Sequence, residues 1–134
     1  MPVRFLLDTD IASYAIKHSD PKVRERLRQV APSEVGVSVI TEAELRFGVA
    51  RHAPGSRLML SVEEFLAHVD IVPWDSNAAK TYATVRAELE QEGKLLGAMD
   101  MMIAAHALAA GCVLVTRDQA FQRVKGLKVA DWAK

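Results

Sequence analysis

Val3-Arg4-Phe5-Leu6-Leu7-Asp8-Thr9-Asp10 is the stretch on which the fold turns. Its apolar, β-prone run reads as a strand that stops at acids, so the strand delivers carboxylates at its carboxyl end. Residues 10–18 then read as a helix, with Asp10 as the residue that caps it. A second helix starts at Asp20-Pro21, since proline suits a first helical turn. Val23, Leu27 and Val30 give that helix an apolar stripe, Lys22, Arg24, Arg26 and Arg28 occupy its other face, and Pro32 ends it.

The same strand-then-helix grammar recurs downstream. Val35-Gly36-Val37-Ser38-Val39 reads as a second strand, followed by a helix from Thr41, taken as its N-cap, through Val49. Pro54-Gly55 breaks the chain, and Ser56 caps a helix carrying Leu58, Val62, Phe65, Leu66 and Val69. Ile71-Val72-Pro73-Trp74 is a short strand that its proline assigns to an edge or an end. Asp75 caps a long helix with Ala78, Tyr82, Val85 and Leu89 at helical spacing. Gly97 precedes an alanine-rich helix over 98–110, which Gly111 closes. The apolar run 112–115 then leads into Thr116-Arg117-Asp118, a short turn near Phe121, and a last strand at Leu127-Lys128-Val129. Strands alternating with helices predict an α/β sandwich with a mainly parallel central sheet. No repeat, low-complexity segment or linker interrupts it, so residues 1–134 read as one domain.

Composition narrows the function classes. Half of the 134 residues are apolar and a quarter are charged, the balance of an ordinary globular chain. Seventeen basic residues against seventeen acidic ones argue against broad non-specific nucleic-acid binding, but leave room for a local basic rim. No apolar run is long enough to span a bilayer, and the opening residues lack the pattern of a secretory signal, so the expectation is a cytoplasmic protein with no membrane association. Cys112 is the only cysteine, which excludes an intrachain disulfide and a cysteine-rich zinc site. Within its apolar run it reads as a packed, inert thiol.

The chemistry points to acids. In open parallel sheets, sites gather beyond the carboxyl ends of strands. Asp8 and Asp118 follow two such strands, while Glu44 and Asp100 stand early in helices, where negative charge is stabilised. Carboxylates brought together repel one another unless a cation neutralises them. Mg²⁺ fits, because it takes oxygen ligands, keeps several waters, and equips a site for phosphodiester hydrolysis. His18, His52, His68 and His106 show neither zinc-motif spacing nor an evident nucleophile partner. Each acid also has an ordinary reading as a turn residue, a cap or a solvated first-turn residue, and spacing alone leaves those readings open.

Four segments resemble a known family. Leu6-Leu7-Asp8-Thr9-Asp10-Ile11 resembles the opening motif of PIN-domain ribonucleases, especially the VapC-type toxins of bacterial toxin–antitoxin pairs. The segment from Ser38 to Val49, with Glu44 directly before Leu-x-x-Gly, resembles their second motif. Gly97 to Ala107 resembles the third, and Leu114-Val115-Thr116-Arg117-Asp118 with Phe121 the fourth. Four motifs in order cover nearly the whole chain, and the ending from Leu127 to Trp132 is similar as well. The resemblance implies a three-layer PIN-like sandwich. It places Asp8, Glu44, Asp100 and Asp118 on the family's acidic quartet as catalytic and metal-holding residues, with Asp8 and Asp100 the most direct ligands. Thr9 and Thr116 become candidates to orient ligands or water. The position of the acid before Leu-x-x-Gly selects Glu44 over Glu42, which lies two residues away on a nearly opposite helix face. Asp10 stands where the family more often has Asn.

The resemblance further implies a magnesium (or manganese) cofactor, a structured RNA substrate such as tRNA, a VapB-type antitoxin and a homodimer. Arg46, Lys94 and Arg117 lie beside the motifs as candidate contacts to RNA phosphate. Two other readings compete. Asp8-Thr9-Asp10 is similar to the DxD signature of haloacid-dehalogenase-type phosphatases, which leaves the other three motifs unexplained. A PIN-like binding module without activity would tolerate loss of an acid, yet all four are present.

Overall fold

The computed structural model describes residues 2–134. Five short strands, β1 (Phe5–Leu7), β2 (Val35–Ser38), β3 (Asp70–Val72), β4 (Val113–Val115) and β5 (Val129–Ala130), form one sheet in the order β3-β2-β1-β4-β5. Every pairing is parallel. Six α-helices connect them: α1 (Thr9–Lys17), α2 (Pro21–Gln29), α3 (Val39–Ala50), α4 (Arg57–His68), α5 (Ser76–Gln91) and α6 (Ala98–Ala110). Single 3₁₀ turns cover Pro32–Glu34 and Gln119–Arg123.

Side chains alternate across the strands, and both faces are apolar, as a covered parallel sheet requires. Leu7, Val35, Val37 and Val115 pack with Ile11, Ile16, Val23, Val62 and Leu66 from α1, α2 and α4. Leu6 and Leu114 face the other way, onto Val85, Leu89, Met101 and Ile103 of α5 and α6. The result is a three-layer sandwich of helices, sheet and helices. Ile16 and Val23 belong to the core. Gly36 explains itself by close approach: a Cβ there would stand 2.8 Å from the Asp70 carbonyl of neighbouring β3.

Two helix starts differ from the sequence expectation. Helix α1 begins at Thr9, so Asp8 holds the cap and accepts from the Ile11 amide at 2.9 Å. Asp10, expected as the cap, sits in the first turn. Helix α3 begins at Val39 with Ser38 as its cap, not Thr41. Thr41 is fully buried inside the first turn instead. In both cases the chain turns from strand to helix with almost no loop, so the last strand residue or the next one becomes the cap. Propensity alone places such a start a residue or more too late.

The strand order reverses between β1 and β4. β1 leads to β2 and β3 on one side, whereas β4 leads to β5 on the other. A crevice opens beyond the carboxyl ends of strands at such a switch point. Asp8 and the Thr116–Asp118 turn stand there, and the Asp8 amide donates to the Val115 carbonyl at 3.0 Å, stitching the two strand ends together.

Candidate active site

Asp8 is the buried centre of the crevice, only 5% exposed. Burial pushes its pKa up from 3.8 to about 6, outweighing the opposing help of the Thr116 hydroxyl and the Ile11 amide. The charges of Asp10 and Asp100 push it further in the same direction. Thr116 is buried too, and its hydroxyl oxygen accepts from the Asp118 amide at 3.0 Å. One hydroxyl thus joins the turn that carries Asp118 to the Asp8 carboxylate.

The other acids arrive from different layers. Glu44, at the middle of α3, accepts from the Thr9 hydroxyl at 2.5 Å. Thr9 in turn lies 3.5 Å from the Thr41 hydroxyl. Asp100 sits in the first turn of α6, and burial raises its pKa, followed by the charges of Glu44, Asp118 and Asp10. Asp118 caps the 3₁₀ turn, accepting from the Ala120 amide at 2.9 Å. The electrostatic neighbours of these acids are therefore one another. Asp10 belongs among them, because its charge acts on both Asp8 and Asp100.

Among the described residues, every ion pair lies elsewhere, and none touches Asp8, Asp10, Glu44, Asp100 or Asp118. Nor do any three His, Cys, Asp or Glu side chains among the described residues close around one point as a finished metal cage. The donor set is nonetheless of one kind: oxygen only, anionic, uncompensated and partly held by threonines. Such a set fits a hard divalent cation and suits a softer, nitrogen- or sulfur-seeking one poorly.

The three basic residues expected near phosphate take different positions. Arg46 donates from Nε to Glu42 at 2.9 Å and from Nη1 to both Glu63 oxygens at 3.1 and 3.0 Å. It is thereby tied to α4 on the face that Glu42 shares, away from Glu44. Arg117 donates to the Tyr14 hydroxyl at 2.8 Å and stacks 5.7 Å above that ring. Its guanidinium pKa is raised first by Tyr14, with smaller help from Asp131 and Asp20, so it leans toward α1 and α2. Lys94 is exposed in the loop before α6 and has no ion-pair partner among the described residues.

A second polar pair escaped sequence reading. His106, 2% exposed on α6, bonds through Nδ1 to the Ser38 hydroxyl oxygen at 2.7 Å. The Pro73 backbone also bonds the ring, and Ser38 accepts from the Ile40 amide at 3.0 Å. Burial lowers the pKa of His106, which keeps the ring neutral, against the smaller pull of Asp75. A serine beside a histidine suggests a nucleophile, but Ser38 is fully buried and already caps a helix. The pair is a brace joining α3, which carries Glu44, to α6, which carries Asp100. Sixty-eight residues separate its members, so no local pattern announces it.

The fold that carries these acids to the sheet's switch point is matched by a family model. The PIN-domain model covers residues 5–127. The chain belongs to the PIN-domain family. Within it, the relatives are VapC ribonucleases. A Shigella flexneri protein named tRNA(fMet)-specific endonuclease VapC is 34% identical over 132 residues, covering 98% of this chain and 99% of its own. Ribonuclease VapC2 of Haemophilus influenzae is 34% identical over 131 residues, covering 97% and 98%. Among solved structures, DNA-bound VapBC from Salmonella typhimurium superposes with a TM-score of 0.91 at 34% identity, covering 97% of this chain and 98% of that one. VapBC2 from Rickettsia felis, bound to a promoter DNA fragment, gives 0.90 at 30% identity, covering 97% and 99%. The haloacid-dehalogenase reading is thereby set aside. Among the described residues, none of its helices is long and apolar enough to cross a membrane.

Proposed function

We propose that this VapC-type protein is a metal-dependent endoribonuclease toxin that hydrolyses structured RNA, with tRNA as its substrate class, and that a VapB-type antitoxin neutralises it. The observation that carries the reading is the set of uncompensated carboxylates at the switch point, where burial and mutual repulsion raise Asp8 and Asp100 together. The names of the relatives support the substrate class, and the VapBC complexes among the solved relatives support the antitoxin. The homodimer and the cytoplasmic site of action follow from the family resemblance.

Asp8 and Asp100 are the residues that would hold Mg²⁺ (or Mn²⁺), with Glu44 and Asp118 completing the pocket. A bound Mg²⁺ supplies a Lewis acid that activates water and offsets charge developing on the phosphate. The chain's own contribution is orientation. The Ile11 amide and Thr116 hydroxyl fix the Asp8 carboxylate, and the Thr9 hydroxyl fixes one oxygen of Glu44, leaving the other free. The cap bond from Ala120 holds Asp118 at the rim. Raised carboxyl pKa values mean that proton and metal compete for the same oxygens, so metal binding releases protons near neutral pH.

The test is cleavage of end-labelled tRNA by the antitoxin-free chain with Mg²⁺, Mn²⁺ or excess EDTA. The expected result is internal cuts with either metal, none in EDTA, and none from Asp100→Asn. Equal cutting in EDTA would sink the mechanism, and release of phosphate from small phosphoesters without RNA cleavage would sink the substrate class.

A further inference from the structure

Beside the acids lies a second feature that the quartet does not use. A cleft of about 190 Å³ opens between α1, α3 and α4, and its upper wall is Thr9 and Glu44 themselves. It is continuous with the candidate active site through those two residues. The volume holds about six waters at ~30 Å³ each, ample for a planar ring in place of water. Ile16 and Leu58 give it an apolar floor, and Lys17 and Arg51 stand at the far rim.

Helical register explains why the cleft exists. Glu44 and Gly48 are one turn apart on the same face of α3, and Thr9 and Ser13 are one turn apart on α1. Gly48 is not there for backbone freedom, since it lies inside a regular helix with no positive φ. Nor does a close neighbour demand it, because a Cβ built there meets nothing within 4 Å. Glycine inside a helix costs stability relative to alanine. What it leaves is space, on the cleft wall directly below Glu44.

Charge gives the cleft a direction. The Glu44 end is anionic and belongs with the metal-holding acids. The far rim carries Lys17, in the last turn of α1, and Arg51, the C-cap of α3. Among the described residues neither forms an ion pair, and Arg51 rests 5.1 Å above the Phe47 ring, itself 63% exposed. An acidic end, an apolar floor and unpaired cations match a nucleotide whose neighbouring phosphate is the one attacked: phosphate to the cations, base to the floor.

We infer that this cleft is a nucleotide-binding subsite, seating the residue of the RNA strand next to the scissile phosphate, with Gly48 keeping it open and Lys17 and Arg51 gripping its phosphate. The inference rests on the ribonuclease reading above. A leucine at Gly48 fills the cleft from one turn below Glu44.

The test uses the full chain and labelled tRNA, with cleavage kinetics on the wild-type background and binding on the Asp100→Asn background. Gly48→Leu should keep its melting temperature and its Mg²⁺-induced thermal shift, yet raise KM about tenfold with kcat little changed, the pattern of lost uniform binding. Lys17→Ala and Arg51→Ala are exposed changes that should each flatten the slope of log affinity against log salt by about 0.7–0.9, whereas Lys80→Ala on α5 should not. Unchanged KM in Gly48→Leu, or unchanged salt slopes in both cation variants, overturns the inference while leaving the nuclease intact. Gly48→Leu that cuts RNA normally but escapes the antitoxin overturns it as well, by making the cleft a protein's seat. A wild-type chain that neither binds nor cuts RNA with metal fails at the proposed function itself, a distinct outcome.

Discussion

Replacing Asp8 with asparagine removes a charge that the fold disfavours while keeping the cap, because an asparagine Oδ1 can accept from the Ile11 amide as Asp8 does at 2.9 Å. The pKa of Asp8 rises from 3.8 to about 6 on folding. At 1.36 kcal/mol per pH unit, that difference is worth about 3 kcal/mol. The folded state holds the proton more tightly than the unfolded state, so stability from this group is fully present below about pH 4. It is lost as pH rises to about 6, and above that the ionised carboxylate leaves the metal-free protein about 3 kcal/mol less stable. Asp8→Asn does not suffer the loss. At pH 7.5 in EDTA it should melt about 10 °C above the wild type, taking roughly 3–4 °C per kcal/mol for a chain of this size. At pH 4 the two should nearly coincide. His106 titrates in the opposite sense, its lowered pKa favouring the fold at higher pH, but it is common to both proteins and cancels in their difference. Mg²⁺ should stabilise the wild type by about 2.7 kcal/mol at a hundred times its Kd, and Asp8→Asn by far less. Urea melts followed by circular dichroism across pH 4–8, with and without Mg²⁺, measure all of this. An Asp8→Asn protein no more stable than wild type at pH 7.5 in EDTA would refute the reasoning.

Asp100→Asn should lower tRNA cleavage by about 10³-fold, several kcal/mol of lost charge stabilisation, with an unchanged circular dichroism spectrum and a melting temperature at or above the wild type in EDTA. Thr9→Val removes the hydroxyl that orients Glu44, and should weaken metal binding about 10–100-fold, read as a shift in the Mg²⁺ concentration for half-maximal cleavage. Glu42→Gln breaks only an exposed pair with Arg46, so stability should change by under about 0.5 kcal/mol and cleavage hardly at all. His106→Ala empties a buried site and leaves the Ser38 hydroxyl short of its partner, and should cost about 2–4 kcal/mol in denaturant melts.

The sheet was legible because its central strands β1, β2 and β4 are covered on both faces and so read as short apolar runs. Asp8, Asp100 and Asp118 were legible as candidates because each stands at a strand end or early in a helix, whereas Glu44, expected early in its helix, lies at the middle of α3; the convergence of all four depends on strand order. Nothing in Leu7-Asp8 and Val115-Thr116 states that β1 and β4 are neighbours. Asp10 was misplaced for a local reason: the helix starts one residue sooner than a capping preference suggests, which turns Asp10 from a cap into a fifth charge. Arg46 looked available from its position two residues after Glu44. Its two acceptors, one a turn back on α3 and the other on α4, could be found only once the helices were packed. His106 had no visible partner for the same reason, with Ser38 brought to it by the sheet.

Why the fold tolerates such a cluster follows from where its stabilising elements lie. The apolar contacts of both layers sit along the sheet, with Leu6, Leu7, Leu114 and Val115 fully buried, while the acids stand just past the ends of those strands. Their repulsion therefore acts on two helix starts, the middle of α3 and a turn, not on the sheet core. Two of the charges are also anchored by bonds that the backbone needs anyway: Asp8 and Asp118 satisfy amides at the starts of helical turns. The capping bonds offset part of the electrostatic cost, and a cation would offset the rest. Neutralising Asp8 or Asp100 should then stabilise the metal-free chain and impair the metal-bound one, an inverse relation that a purely structural cluster would not produce.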